Sequence, residues 1–209
     1  MTCFWAVFEQ IDGCVFRFDT RIYTQPVKNP SANDKCIGAV VGMNPGSAKP
    51  TNYKSKALQR IDLGYDKTLP ILKNIFSKAY NVNGRTEKNE YIQVLNLFYM
   101  CNKNATEAKK EIQKYSLEKY LCYSEKNKFA FIFYSWGLQK GLDDYKTRFL
   151  RSDGDLTTNH IWLDKNSNKV NLSKPNINDK VKHPLGLTHK VLLPKLSEML
   201  NKLEFLEHE

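Results

Sequence analysis

No run of about 18 apolar residues occurs anywhere in the 209-residue chain, so nothing in it reads as a transmembrane helix. Cysteine is sparse and odd in number. Cys3, Cys14, Cys36, Cys101 and Cys122 contain no Cys-x-x-Cys spacing and leave one thiol over in any pairing, which argues against a disulfide framework and against zinc or iron–sulfur ligation. Five reduced thiols are expected, and no metal and no cofactor. The opening Met-Thr-Cys-Phe-Trp-Ala-Val-Phe-Glu-Gln has neither a basic leader nor an uninterrupted apolar segment, so a cytoplasmic protein is expected. Acidic residues are the minority charge: 22 Asp and Glu stand against 32 Lys and Arg, a formal charge of +10 spread along the chain rather than gathered in a tail. That excess favours a polyanionic partner; the competing reading is a lysine-rich solvated surface.

A hydrophobic content of 41% is enough for one sizeable core, and no internal linker divides the chain. One domain over residues 1–205 is expected, as a monomer, with 206–209 set aside as an appended tail. Phe4 to Phe8 and Val15 to Phe18 read as strands joined at Asp12-Gly13. Cys36 to Met43 is a nearly unbroken apolar run, as in a strand buried on both faces of a parallel sheet, stopped by Asn44-Pro45-Gly46. Leu69, Leu72, Ile75 and Phe76 sit at helical spacing within Lys67 to Ala79, with Asp66 as N-cap. Further strands are expected over Tyr91 to Phe98, Phe129 to Trp136 and His160 to Leu163. Helices are expected over Ala105 to Gln113, Ser116 to Lys126, Gly137 to Phe149 and Thr188 to Phe205, and a loop or hairpin over Asp164 to Asp179. Strands alternating with helices predict an α/β fold, three-layer α/β/α around a central, mainly parallel four-stranded sheet. In such sheets ligands bind beyond the carboxyl ends of the strands.

Four segments fall at those ends or in a comparable loop: Gly42-Met43-Asn44-Pro45-Gly46, Asn96-Leu97-Phe98, Trp136-Gly137 and His183-Pro184-Leu185-Gly186-Leu187. Singly each is weak, since Asn-Pro-Gly is an ordinary turn and an Asn closing a strand is often a cap. In this order they resemble the motifs of the uracil-DNA glycosylase superfamily. Gly-Met-Asn-Pro-Gly matches the motif of its single-strand-selective branch and is similar to that of the mismatch-specific branch. Asn96 resembles the residue that reads the pyrimidine edge, and His183-Pro-x-x-Leu187 resembles the last motif of the uracil-specific enzymes. The chain is also similar to an uncharacterised bacterial and phage domain family with Asn-Pro-Ser, Asn-Leu-Phe and His-Pro-Leu motifs.

The resemblance implies a glycosylase fold and a monofunctional DNA N-glycosylase that flips a pyrimidine out of single- or double-stranded DNA. Asn44 would position the attacking water and His183 would donate to the carbonyl on which the leaving base gathers charge. Base recognition would fall to Asn96, helped by the backbone around Gly42 and Met43, with Phe98 chosen over Tyr53 and Tyr65 as the stacking aromatic. Gly46 and Ser47 stand where the uracil-specific branch keeps a bulky wall, so C5-substituted bases are expected to fit. Glucosylated hydroxymethylcytosine, attacked by anti-phage members of the superfamily, is the extreme case. Leu187 occupies the wedge position, and Leu185 replaces a phosphate-contacting Ser. Thr188, Lys190, Lys182 and Lys49 are candidate DNA contacts, together with Lys54, Lys56 and Lys140. A non-catalytic reader of modified bases or DNA ends, a uracil or hydroxymethyluracil repair enzyme, and an enzyme of free nucleosides are the alternatives.

Overall fold

A computed structural model of the chain describes residues 1–50, 56–81, 89–115, 120–151, 156–187 and 189–206. Strands β1 (Thr2–Ile11) and β2 (Cys14–Val27) form the expected hairpin. Asp12 and Gly13 both take positive φ, 50° and 79°, the backbone that a two-residue turn needs to follow the twist of its strands. β3 (Lys35–Gly42) is buried at five consecutive positions, and β4 (Lys49–Pro50) and β5 (Leu58–Asp62) follow it. Later come β6 (Glu90–Asn96), β7 (Ile132–Tyr134), β8 (His160–Leu163) and β9 (Val170–Asn171).

The sheet has nine strands, not four, in the order β4-β5-β1-β2-β6-β3-β7-β8-β9. Its centre is the run β6-β3-β7-β8, parallel throughout. The expectation failed at the edges. The first hairpin joins the sheet through antiparallel β2–β6 pairing, and β5 then pairs with β1. Five residues of Leu-Gln-Arg-Ile-Asp hide only every second side chain, too weak a pattern to read as a strand alone.

Helices α1 (Thr68–Asn81), α2 (Ala105–Ile112), α3 (Asp143–Leu150) and α4 (His189–Leu206) cover both faces. Leu69, Leu72 and Phe76 of α1 and Leu192 and Leu196 of α4 share a core with Val40, Val94 and Phe133. Across the sheet, Ala108 of α2 and Phe149 of α3 pack with Ala39, Val41 and Tyr134. Ala39, Val40 and Val41 therefore serve opposite cores in turn, the period of two that a strand imposes.

Three expected elements are shorter than their pattern. Of Ser116 to Lys126, residues 116–119 lie outside the described residues, and the rest holds one 3-10 turn, Tyr123–Lys126. The strand within Phe129 to Trp136 pairs only at Ile132–Tyr134. α3 starts at Asp143 because Gly137 and Gly141 take φ of 78° and 67°, which no right-handed helix admits. Of the loop or hairpin expected over Asp164 to Asp179, the structure has a short hairpin, with Leu163 opposite Val170. Among the described residues no helix is long and apolar enough to cross a membrane.

Candidate functional site

β3 and β6 lie side by side, and Gly42 is paired with Asn96 at their carboxyl ends. Beyond that pair, on the face covered by α1, lies a cavity of about 240 Å3 that takes in Asn44, Asn96 and His183, the three residues singled out in the sequence. The carbonyls of Gly42 and Met43 accept from Leu97 N–H (3.0 Å) and Phe98 N–H (3.3 Å), so the two strands remain joined past their last ladder pair. This tie sets Asn44 and Asn96 on one rim.

Asn44 Nδ2 donates to the Asn102 carbonyl at 3.0 Å. With the NH2 so engaged, the amide has its Oδ1 left as an acceptor. Asn96 is 2% exposed, and its Nδ2 is a buried donor with no hydrogen-bond partner. Its Oδ1 lies 3.0 Å from where a Cβ on Gly42 would stand, so a glycine there makes the room the amide occupies.

His183 is brought in by β7. Ser135 Oγ donates to the Lys182 carbonyl at 3.0 Å, and Gly137 lets the His183 ring lie where its own Cβ would come within 3.4–3.8 Å of that side chain. His183 then caps the 3-10 turn Pro184–Gly186, its Nδ1 accepting from Leu185 N–H at 3.3 Å. An imidazole that accepts at Nδ1 carries its proton on Nε2. Burial pushes its pKa below the usual histidine value, partly opposed by the negative charge of Asp66. The ring is held as a neutral donor.

Among the cavity residues not anticipated as site residues, two are buried and charged: Arg17 from β2 and Asp66 at the head of α1. Asp66 does what was expected of it locally, Oδ1 accepting from Thr68 N–H at 2.7 Å. Its Oδ2 lies 3.7 Å from Arg17 Nη1, and the two side chains are 5% and 2% exposed. Neither Asp66 Oδ2 nor Arg17 Nε and Nη1 has a hydrogen-bond partner. Arg17 is flanked by phenylalanines in a strand pattern, where nothing distinguishes it from a solvent-facing residue. Exposed Lys103 also lines the cavity and carried no motif signal.

The other predicted residues divide between this cavity and the rest of the molecule. Met43 and Gly46 line the cavity, as do Pro184 and Leu185. Half-buried Ser47 does not. Phe98 is 3% exposed and packs edge-to-face on Tyr145 in the opposite core, so it is no stacking platform for this cavity. No aromatic side chain lines the cavity among the described residues; Tyr65 is 97% exposed, and Tyr53 lies outside them. Leu187 is partly buried against the α1/α4 core rather than projecting, whereas Leu185 is 57% exposed at the cavity's edge. Of the two leucines, it is Leu185 that projects. Lys182 donates to Asn168 Oδ1 at 2.7 Å and holds its loop. Lys49 and Lys190 are exposed, and Thr188 and Lys54 lie outside the described residues.

A larger recess of about 580 Å3 lies on the α2/α3 face over β1, β2 and β6, lined by Arg21, Tyr91 and Leu121 among others. It contains none of the residues that share the motif order, and the smaller cavity is the better candidate because its polar groups converge. Among the described residues no group of three or more His, Cys, Asp or Glu side chains is placed to hold a metal ion, and all five cysteines are free thiols. Compared with known proteins, the chain matches no family model, no curated protein and no solved structure.

Proposed function

We propose that the protein is a monofunctional DNA N-glycosylase that acts on a pyrimidine flipped into the cavity between β3, β6 and the His183 loop. The observation that carries this reading is the convergence of Asn44, Asn96 and His183 from three separate elements on one cavity, two of them with their donor or acceptor sense fixed by a backbone bond.

The chemistry asked of these groups is modest. The C1′–N1 bond breaks with its electron pair passing to the base, water bonds to C1′, and the proton that water loses ends on the released base. Asn44 Oδ1 accepts from the water and orients it; a neutral amide is no strong base, so its contribution is positional. His183 Nε2–H donates to the base carbonyl as charge gathers there, a contribution of about 3–4 kcal/mol in comparable oxyanion sites. Asn96 reads the base edge from a buried position. No lysine lies in these motifs, and the simple-hydrolysis reading requires that Lys103, which lines the cavity, form no imine with the sugar.

Flipping costs a few kcal/mol of lost stacking and pairing, and an apolar side chain can fill the gap. Leu185, exposed beside the cavity, has the position for that work. The side of the cavity formed by Gly46 carries no bulk, which favours tolerance at C5 and keeps hydroxymethylated and glucosylated pyrimidines, and with them a role against phages with modified DNA, within the proposal.

The test is abasic-site formation on DNAs carrying uracil, hydroxymethyluracil, hydroxymethylcytosine or glucosylated hydroxymethylcytosine. We expect product from at least one of them, reduced at least about 100-fold in Asn44→Ala and His183→Ala while DNA affinity changes little. Saturable binding with no abasic product would instead identify a reader of modified bases, a reading favoured by the departure of Leu185-Gly186 from the family's phosphate-contacting loop.

A further inference from the structure

Arg17 is the most unusual group in the cavity. On β2 its neighbour Phe16 packs into the α2/α3 core, and strand alternation turns Arg17 to the other face, into the cavity. Only 2% of it is exposed, and its Nε and Nη1 hydrogens meet no acceptor. A guanidinium keeps its charge in proteins, and a buried charge with open donors is costly unless something supplies acceptors. Asp66 does not fill that need. A charge-assisted pair built only for the fold closes to about 2.7–2.9 Å, whereas here the oxygen stands 3.7 Å from Nη1 and is itself without a donor. The pair holds the guanidinium in place and leaves its N–H groups for something else.

Other donors face the same space: Asn96 Nδ2, buried and unpartnered, and the Nε2–H of His183. Against them stand Asp66 Oδ2 and Asn44 Oδ1. A cavity with more donors than acceptors, and a fixed cation among the donors, suits an acceptor-rich ligand that carries or develops negative charge. Building on the glycosylase reading, we propose that Arg17 is a catalytic residue that donates to the carbonyl oxygen of the departing base and holds that base as an anion, with Asp66 as its positioning residue.

In the step assigned to it, the C1′–N1 bond breaks and both electrons stay with the base. The charge spreads from N1 to the adjacent carbonyl, where the N–H groups of Arg17 and His183 meet it, and the base takes up the proton lost by water only after release. The cation also lowers the tendency of the base to leave as a protonated species, so the cavity favours departure as an anion.

Two measurements test this. First, single-turnover base release by Arg17→Met and Arg17→Lys is compared with wild type on the four DNAs named above, alongside affinity for duplex carrying a tetrahydrofuran abasic analogue. We expect Arg17→Met to lose about 100- to 1,000-fold in release rate, Arg17→Lys to recover part of it by keeping the charge, and both to bind the abasic analogue within about threefold of wild type. Release by Arg17→Met within about threefold of wild type, or no advantage of Lys over Met, overturns the assignment. Second, because a buried variant can fail to fold, wild-type protein without DNA is titrated with 5-nitrouracil, an acidic pyrimidine that is an anion at neutral pH, and with neutral uracil. At least about tenfold tighter binding of the anion is expected, and equal binding overturns the proposal. If wild type releases no base at all, the glycosylase reading fails, and the same titration repeated on Arg17→Lys and Lys103→Ala still decides whether Arg17 makes an anion site: the preference for the anion is expected to weaken in the first and persist in the second.

Discussion

The protonation state of His183 follows from one hydrogen bond. Nδ1 can accept from Leu185 N–H only while the ring is neutral, and burial favours that same form by pushing the pKa below the ordinary histidine value, against a smaller opposing pull from Asp66. Protonation would cost the cap of the 3-10 turn. The folded pKa is depressed, so in the interval below the ordinary value of about 6.5 the unfolded chain binds the proton more readily than the folded one. The stability His183 contributes is therefore fully present above about pH 6.5 and is lost as pH falls through the folded value. Under the proposed function, base release should stay level above about pH 6.5 and fall on an acid limb whose midpoint lies below it, and His183→Gln should remove that limb. A limb centred well above 6.5 in the rate profile would contradict the neutral-donor assignment. Asn44 and His183 were legible because each sits in a short motif at the end of an element. Arg17 was not, because nothing in Cys-Val-Phe-Arg-Phe tells a cavity-facing arginine from a solvated one. The register that sends Phe16 to one core and Arg17 to the cavity exists only once β2 is paired.

Helix α1 carries the next level of argument, because its first turn is part of the site. Asp66 Oδ1 caps Thr68 N–H while Oδ2 stands 3.7 Å from Arg17 Nη1 as its counter-charge, so one carboxylate serves both helix and cavity. The two roles separate by substitution. Asp66→Asn keeps a cap acceptor and removes the charge; Asp66→Ala removes both. Losing one partner of a buried pair costs about 3–5 kcal/mol, and losing an N-cap about 1 kcal/mol. Both variants should therefore unfold at lower temperature, with Asp66→Ala about 1 kcal/mol less stable than Asp66→Asn in a urea titration. Stability of Asp66→Asn equal to wild type would mean that the charge beside Arg17 does nothing for the fold. Elements with a strong period were readable in the sequence: the Asp12-Gly13 hairpin, β3, α1 behind its cap, and α4. Those missed or shortened were decided by partners. β5 is a strand because β1 offers it an edge, and the apolar spacing after Tyr120 gives only a 3-10 turn where it meets β2 and β6. Leu187 was expected to project and is instead half-buried for the same kind of reason, since it has a core to join and Leu185, two residues earlier, does not.

At the scale of the molecule, the formal charge of +10 matters through where the cations stand relative to the cavity. Lys103 lines it and is exposed, and Lys49 and Lys190 are exposed on β4 and the first turn of α4. Lys182 is adjacent in sequence to His183, yet its ammonium donates to Asn168 at 2.7 Å and so serves its own loop. Phosphate contacts reveal themselves by counterion release: the logarithm of affinity falls linearly with the logarithm of salt concentration, with a slope of about −0.9 per phosphate neutralised on duplex DNA. A DNA-binding role predicts a steep slope for the wild type. Lys103→Ala should make it shallower by about one, as should Lys190→Ala, whereas Lys182→Ala should leave it unchanged even if it loosens the His183 loop and slows base release. The contrast matters because total charge falls equally in all three variants. Equal slopes in all three would mean that the charge acts only as a diffuse field, and a flat slope for the wild type would turn the argument toward free nucleosides, which need no such surface.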